Sequence, residues 1–172
     1  CQAGVLNATA YLGELPRYEP GDRVVFFVSP SFDASIWEMC AALCHGATLM
    51  VADRDTVADP EHFGAFLVRS GCTITVLPPS YVRLLDVGDL IGLKLLTTAG
   101  EAVHPDTVER LSSRVRYVNL YGPTEASILV SAYEVSPGAR FSRSVPIGRP
   151  IPNVDALVLD HAGRLSPVGA PG

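Results

Sequence analysis

The sequence predicts an α/β fold, a mostly parallel sheet with helices on both faces. Three observations point there. Short apolar, β-branched runs recur along the 172 residues. These runs are continuous more than alternating, as strands covered on both faces are. The segments between them carry helical spacing with recognisable starts and stops. Strand and helix alternate at least four times, the pattern of a parallel sheet with right-handed crossovers.

The strand candidates are residues 23–29 (RVVFFVS), 47–52 (ATLMVA), 73–77 (TITVL), 94–98 (KLLTT) and 116–120 (RYVNL). The first helix is predicted over 34–45, where Ile36, Met39, Cys40 and Leu43 fall at i, i+3, i+4 and i+7 as one buried stripe, with Gly46 as the stop. Asp59 followed by Pro60 reads as an N-cap with proline at the first helical position; Phe63, Phe66 and Leu67 face inward and Gly71 ends that helix. Pro79 opens a short helix through Leu85, and Pro105 another through Ser112 with Val108 and Leu111 inward.

After Thr124 the character changes. An extended stretch over 128–135 leads into a loop at 136–144, then the Pro- and Gly-rich segment 145–152. Residues 154–159 and a turn at 160–163 read as the beginning of a β-rich piece that is not completed. The predicted organisation is an α/β unit over 1–135, then a connecting loop and the start of a β-rich subdomain over 136–172. The turn-like composition at both ends suggests a chain cut out of something longer.

With 48% hydrophobic and 18% charged residues the chain can bury a sizeable core, which excludes disorder. Thirteen basic against eighteen acidic residues leave a net charge of −5 without a Lys/Arg cluster, which argues against a nucleic-acid or anionic-membrane surface. The apolar run 24–28 is far short of the roughly 20 residues a spanning helix requires. Cys1, Cys40, Cys44 and Cys72 form no CxxC pair and read as buried thiols in a reducing compartment, so a cytoplasmic location is expected. His45, His62, His104 and His161 show no metal-ligand spacing.

In an open parallel sheet, ligands bind beyond the carboxyl ends of the strands. Polar residues there come in three segments: 32–35 (FDAS), 98–101 (TAGE) and 119–125 (NLYGPTE). Each also has a bland reading. Asp33 before an amphipathic helix fits an N-cap, Gly100 fits a simple turn, and 121–124 fits a tight turn in which Thr124 caps a succeeding helix. No GxxxxGK[ST] phosphate loop is present. The residues alone support an α/β domain with a polar crevice.

Taken together in this order, the segments resemble the adenylation domains of nonribosomal peptide synthetases, members of the adenylate-forming family that includes acyl-CoA ligases and luciferases. FDASIWEM (32–39) resembles the family's FDxSxxE segment, and NLYGPTE (119–125) its NxYGPTE segment. LPPS (77–80) and TAGEA (98–102) fit the stretches between them, so the resemblance covers essentially the whole chain. It implies the second, flavodoxin-like subdomain of the large N-terminal domain. The family's phosphate loop ending in PKG would lie upstream, and its ribose-binding Asp, hinge and catalytic Lys downstream, so the chain alone is expected to be inactive.

The resemblance further implies ATP and Mg²⁺, an amino-acid substrate, and phosphopantetheine on a peptidyl carrier protein as the acceptor. Partners would be that carrier and the remaining adenylation subdomains. Asp33 would face the substrate's ammonium group, and acyl-CoA ligases generally lack this Asp. Thr124 would bond a phosphate oxygen and Glu125 would contact Mg²⁺, the pair acting catalytically. Tyr121 would stack on adenine and Asn119 would bond its amino group, with Gly100, Glu101, Leu120 and Gly122 also against the nucleotide.

The implied side-chain pocket comprises Asp33, Ala34, Trp37, Val76, Thr97, Ala99, Leu120, Ile128 and Leu129. Without a second charge it disfavours Asp, Glu, Lys and Arg as substrates. Ala34 and Ala99 leave room, Leu120 takes some back, and Trp37 offers an aromatic wall, so a medium or large apolar or aromatic amino acid is expected. The alternatives are a non-catalytic binding or scaffold module and a fragment of an aryl- or acyl-acid CoA ligase.

Overall fold

Five parallel strands form the centre of the sheet in the computed structural model, which describes residues 2–170. They are β1 (Arg23–Phe26), β2 (Thr48–Val51), β3 (Ile74–Leu77), β4 (Leu95–Thr98) and β5 (Tyr117–Tyr121). Their order is β2-β1-β3-β4-β5, continued by the antiparallel β6 (Ser131–Val135) and β7 (Arg149–Pro150). The parallel part has the doubly wound, flavodoxin-like order, with its topological switch between β1 and β3. The predicted fold class is the observed one. The sheet also runs across residue 135, since β7 pairs with β6.

Successive side chains of a strand point to opposite faces, and each face here has its own core. On one, Val25, Leu77, Leu96 and Tyr117 pack with residues of four helices. These are α4 (Pro60–Arg69), α5 (Pro79–Val82), α6 (Val87–Leu90) and α7 (Pro105–Leu111). On the other, Val24, Ile74, Val76, Leu95, Val118 and Leu120 pack with Ala8 and Leu12 of α1 (Gln2–Glu14) and with Trp37, Ala41 and Ala42 of α2 (Ala34–Leu43). Both faces being covered, the strands read as unbroken apolar runs.

The helix signals hold where a cap and an apolar face coincide. The Asp59 side chain accepts from the Glu61 N–H at 2.9 Å, Pro60 occupies the first turn of α4, and Phe63 and Leu67 are buried, with Phe66 stacked on Phe63. Such a cap contributes about 1 kcal/mol. In α7 Val108 and Leu111 are buried as expected. Asp53 likewise caps the short α3 (Arg54–Ala58), accepting from the Thr56 N–H at 2.7 Å.

Several expectations are corrected. The first four strands are trimmed, most of all the first, which ends at Phe26 because residues 27–29 leave the ladder, and the fifth is shifted by one residue to Tyr117–Tyr121. The helix from Pro79 ends at Val82 and continues as turns. The extended stretch expected over 128–135 begins pairing only at Ser131. Residues 154–159 form no strand; a single bridge joins Leu159 to Leu165 across the turn at Asp160. The buried face of α2 is not the predicted stripe: Ile36 is 41% and Leu43 68% exposed, whereas Ser35, Trp37, Glu38, Ala41 and Ala42 are buried. The polar members bury because each finds a backbone partner; Ser35 Oγ donates to the Phe32 carbonyl at 2.7 Å.

Of the thiols, Cys72 is buried, which pushes it up to about 11, while Cys40 is half-buried and Cys44 exposed. All three are free, and Cys1 lies outside the described residues. No helix among the described residues is long and apolar enough to cross a membrane.

Candidate functional site

A cleft of about 930 Å³ opens at the carboxyl ends of β1, β3, β4 and β5, beside the switch point. Twelve sequence-predicted residues line it: Asp33, Ala34, Trp37, Val76, Ala99, Gly100, Glu101, Leu120, Tyr121, Gly122, Ile128 and Leu129.

Asp33 stands at the N-cap position of α2 with helical dihedrals, φ −64° and ψ −27°, and its side chain makes no capping bond. Its Oδ2 is buried without a hydrogen-bond partner among the described residues. The capping reading therefore fails. A buried, unpartnered carboxylate oxygen in a cleft wall is costly unless a cation or donor meets it there. One turn on, Trp37 adds an aromatic wall whose Nε1 is also unpartnered.

At the end of β4, Gly100 has φ +88° and open space where a Cβ would lie. The turn itself requires glycine there, so close approach to a nucleotide is not needed to explain it. The Glu101 carboxylate accepts from the Ser80 N–H at 3.1 Å and its hydroxyl at 3.0 Å, tying this loop to α5.

Gly122, after β5, is glycine for a different reason. A Cβ there would stand 2.6 Å from the Leu129 Cα and closer still to the Ile128 carbonyl oxygen. Ile128 has φ +78° and is the central residue of a three-residue turn in which the Leu129 N–H donates to the Ser127 carbonyl at 3.0 Å. A β-branched residue in that region is strained, as residues at binding sites often are. Between these two sides Thr124 and Glu125 stand exposed on a 3₁₀ turn (Thr124–Ala126).

Four predicted residues do not line the cleft. Thr97 is fully buried beneath it, its hydroxyl donating to the Thr75 carbonyl at 3.2 Å. Asn119 is 3% exposed and its amide donates to the Pro146 carbonyl at 2.9 Å. It belongs to a buried network in which the Thr98 hydroxyl lies 2.8 Å from the Tyr117 hydroxyl, and burial pushes Tyr117 up to about 12. The bond to Pro146 uses the Asn119 amide N–H, and among the described residues its Oδ1 meets only the Thr98 hydroxyl, at 3.4 Å. Thr124 and Glu125 lie next to the cleft in sequence, outside its wall.

Sequence reasoning missed Phe27, Val28 and Pro78, which follow β1 and β3 and were findable from the rule about strand ends. It also missed Val51 and Arg54; the latter comes from α3 and had no signal. Arg54 and Glu101 are exposed charges of the cleft in addition to Asp33, both outside the nine residues expected to form the side-chain pocket.

Among the described residues no three His, Cys, Asp or Glu side chains cluster to hold a metal. A lone exposed carboxylate such as Glu125, next to the Thr124 hydroxyl, nevertheless fits Mg²⁺, which keeps several waters and shares phosphate oxygens with its substrate. Gly100 with open space about it and the half-exposed ring of Tyr121 fit a flat, phosphate-bearing ligand.

Fold and cleft together define a doubly wound α/β ligand-binding domain. The model of the AMP-binding enzyme family matches residues 2–172, and the chain belongs to that family. It is 35% identical over 169 residues to tyrocidine synthase 1 of Brevibacillus parabrevis, an alignment covering 98% of this chain and 16% of that protein. It is 40% identical over 160 residues to the phosphinothricin tripeptide synthetase PhsB of Streptomyces viridochromogenes, covering 89% and 13% respectively. The chain thus spans less than a fifth of the length of either relative. Among solved structures, the Vibrio cholerae adenylation domain AlmE in complex with glycyl-adenosine-5'-phosphate superposes with a TM-score of 0.84 at 25% identity, over 94% of this chain and 32% of that one. The Klebsiella oxytoca NpsA N-terminal subdomain with anthranilyl-AMSN gives 0.78 at 25% identity, over 91% and 43%.

Proposed function

We propose that the chain is the substrate-selecting and nucleotide-binding subdomain of an amino-acid-activating adenylation domain. The observation that carries this is Asp33, whose buried Oδ2 stands unpartnered in the cleft wall beside Ala34 and Trp37. An α-ammonium group is a cation of the right size to pair with it, and an uncharged carboxylic acid offers nothing in its place. That counts against an aryl- or acyl-acid ligase.

In the proposed reaction a substrate carboxylate oxygen attacks the α-phosphorus of ATP. The bond to the bridging oxygen breaks, pyrophosphate leaves with the electron pair, and an aminoacyl adenylate forms. The carboxylate is already ionised, so no general base is required and the cleft has no nucleophile–base pair to explain. Positioning and charge neutralisation supply the rate. Asp33 holds the ammonium group; the side chain lies against Ala34, Trp37, Val76, Ala99, Leu120, Ile128 and Leu129. Tyr121, Gly122, Gly100 and Glu101 border the nucleotide, and Thr124 with Glu125 faces its phosphates. Glu125 would hold Mg²⁺, which would supply charge neutralisation there. The phosphopantetheine thiol of a peptidyl carrier protein then attacks the adenylate's carbonyl carbon, giving up its proton; an aminoacyl thioester forms as the acyl–phosphate bond breaks and AMP leaves with the electron pair, in the cytoplasm.

The pocket's apolar wall favours a medium or large apolar or aromatic amino acid. The reading keeps 1–135 as the flavodoxin-like unit and 136–172 as the link to a β-rich subdomain, and it assigns the phosphate loop and catalytic Lys to other parts of the enzyme. The test is Asp33→Ala in the intact enzyme. Amino-acid-dependent pyrophosphate exchange is lost if the reading is right; unchanged exchange contradicts it.

A further inference from the structure

Glu38 is the one carboxylate in α2, and its residue is 0% exposed. Its Oε2 accepts from the Phe27 N–H at 3.1 Å and the Val28 N–H at 3.0 Å, while Oε1 is buried without a partner among the described residues. Phe27 and Val28 are the first two residues beyond β1, where the chain leaves the ladder. Peptide N–H groups buried at such a point need an acceptor, and α2 supplies it.

These two residues have opposite attachments. The Phe27 ring packs edge-on against Phe63 and Tyr81, in the core on one face of the sheet. Val28 packs into the core on the other, with Trp37. Both line the cleft, as do Asp33, Ala34 and Trp37 of the helix segment that carries Glu38. One carboxylate oxygen therefore joins two walls of the cleft through adjacent peptide groups.

We propose that Glu38 is a positioning residue for the amino-acid subsite: by clamping the Phe27–Val28 peptides to α2, it fixes Asp33 and Trp37 against the end of β1. This rests on the adenylation reading and goes beyond it, because Glu38 itself does not line the cleft. What the clamp requires is one acceptor oxygen at full side-chain reach; negative charge is not the requirement. Gln keeps that oxygen. Asp keeps the charge but is one methylene too short to meet both N–H groups.

The test is pyrophosphate exchange by the intact enzyme with Glu38→Gln, Glu38→Asp and Glu38→Ala, reading KM for the amino acid and for ATP separately. Glu38→Ala is expected to raise the amino-acid KM about tenfold or more, the worth of bonds to two peptides left without an acceptor. ATP KM stays within about twofold, as for an effect confined to one substrate. Glu38→Asp lies near Ala, and Glu38→Gln near wild type. If Ala fails to fold, the order of Gln and Asp decides. Asp22→Asn serves as a control for plain destabilisation, since Asp22 is a buried carboxylate at the opposite end of the sheet, bonded to Thr73 and Lys94. It should lower the melting temperature without separating the two KM values. The clamp is overturned if Asp is the better substitute, if all three variants keep the wild-type amino-acid KM, or if both KM values rise together. Wild-type enzyme without amino-acid-dependent exchange overturns the adenylation reading and the proposal with it.

Discussion

The backbone of Gly122 lies against that of Leu129, so close that a Cβ on Gly122 would stand 2.6 Å from the Leu129 Cα. The contact closes the hairpin between β5 and β6, where the Val130 N–H donates to the Tyr121 carbonyl at 2.8 Å. One side of this hairpin carries Tyr121, Thr124 and Glu125; the other carries Ile128 and Leu129, both in the cleft wall. The nucleotide and side-chain parts of the proposed site thus share one rigid turn.

Gly122→Ala should consequently disturb both parts at once. The added methyl meets backbone, which cannot rotate away, and overpacking of this kind costs about 1–3 kcal/mol. We expect KM for ATP and for the amino acid both to rise, together with a lower melting temperature of the intact enzyme. A variant in which only one KM moves would show that the two sides of the hairpin act separately.

Burial pushes the Glu38 carboxyl up to about 8, against the pull of its bonds from the Val28 and Phe27 N–H groups. In the unfolded chain it titrates near 4.5. At low pH both states hold the proton and folding carries no penalty. Between the two values the unfolded chain releases a proton that the folded one keeps, so this group's contribution to stability falls as pH rises and levels off above about 8. Glu38→Gln removes that slope. Denaturation midpoints of wild type and variant at about pH 5.5 and about pH 8.5 check it, with wild type expected to lose more on going to the higher pH. Equal losses contradict the protonation behaviour assigned to Glu38.

Leu120 follows Asn119 on β5 and sits on the face that carries Trp37 and Leu129. Truncating it to Ala enlarges the side-chain pocket and costs about 2–5 kcal/mol of stability. Specificity should move toward larger side chains, with the ratio of kcat/KM for a large aromatic over a smaller apolar amino acid rising about tenfold or more. Competing substrates in the exchange assay read this directly, and an unchanged ratio would remove Leu120 from the pocket.

The fold was legible because the strands are covered on both faces and so appear as uninterrupted apolar runs, with caps such as Asp59–Pro60 between them. Illegible were elements whose apolar residues do not mark the buried side. In α2 the burial of Ser35 and Glu38 depends on backbone partners in neighbouring loops, which no periodicity reveals. The helix α1 has a mixture of Ala, Gly and Leu with little separation of faces, and only Ala8 and Leu12 are buried. The site followed the strand ends closely. It failed for Thr97, which pairs in register with Val76 but lies beneath the cleft floor. Asn119 is absent from the cleft wall for another reason: strand alternation turns it to the Tyr117 side, away from Leu120.

The most direct measurement compares α-amino acids with the matching carboxylic acids that lack the amino group, in pyrophosphate exchange by the intact enzyme. A carboxylate at Asp33 that pairs with ammonium predicts exchange with an apolar or aromatic amino acid and loss of about 100-fold or more with its des-amino counterpart, because the buried charge is left unpaired. Equal exchange with both compounds would contradict the role given to Asp33.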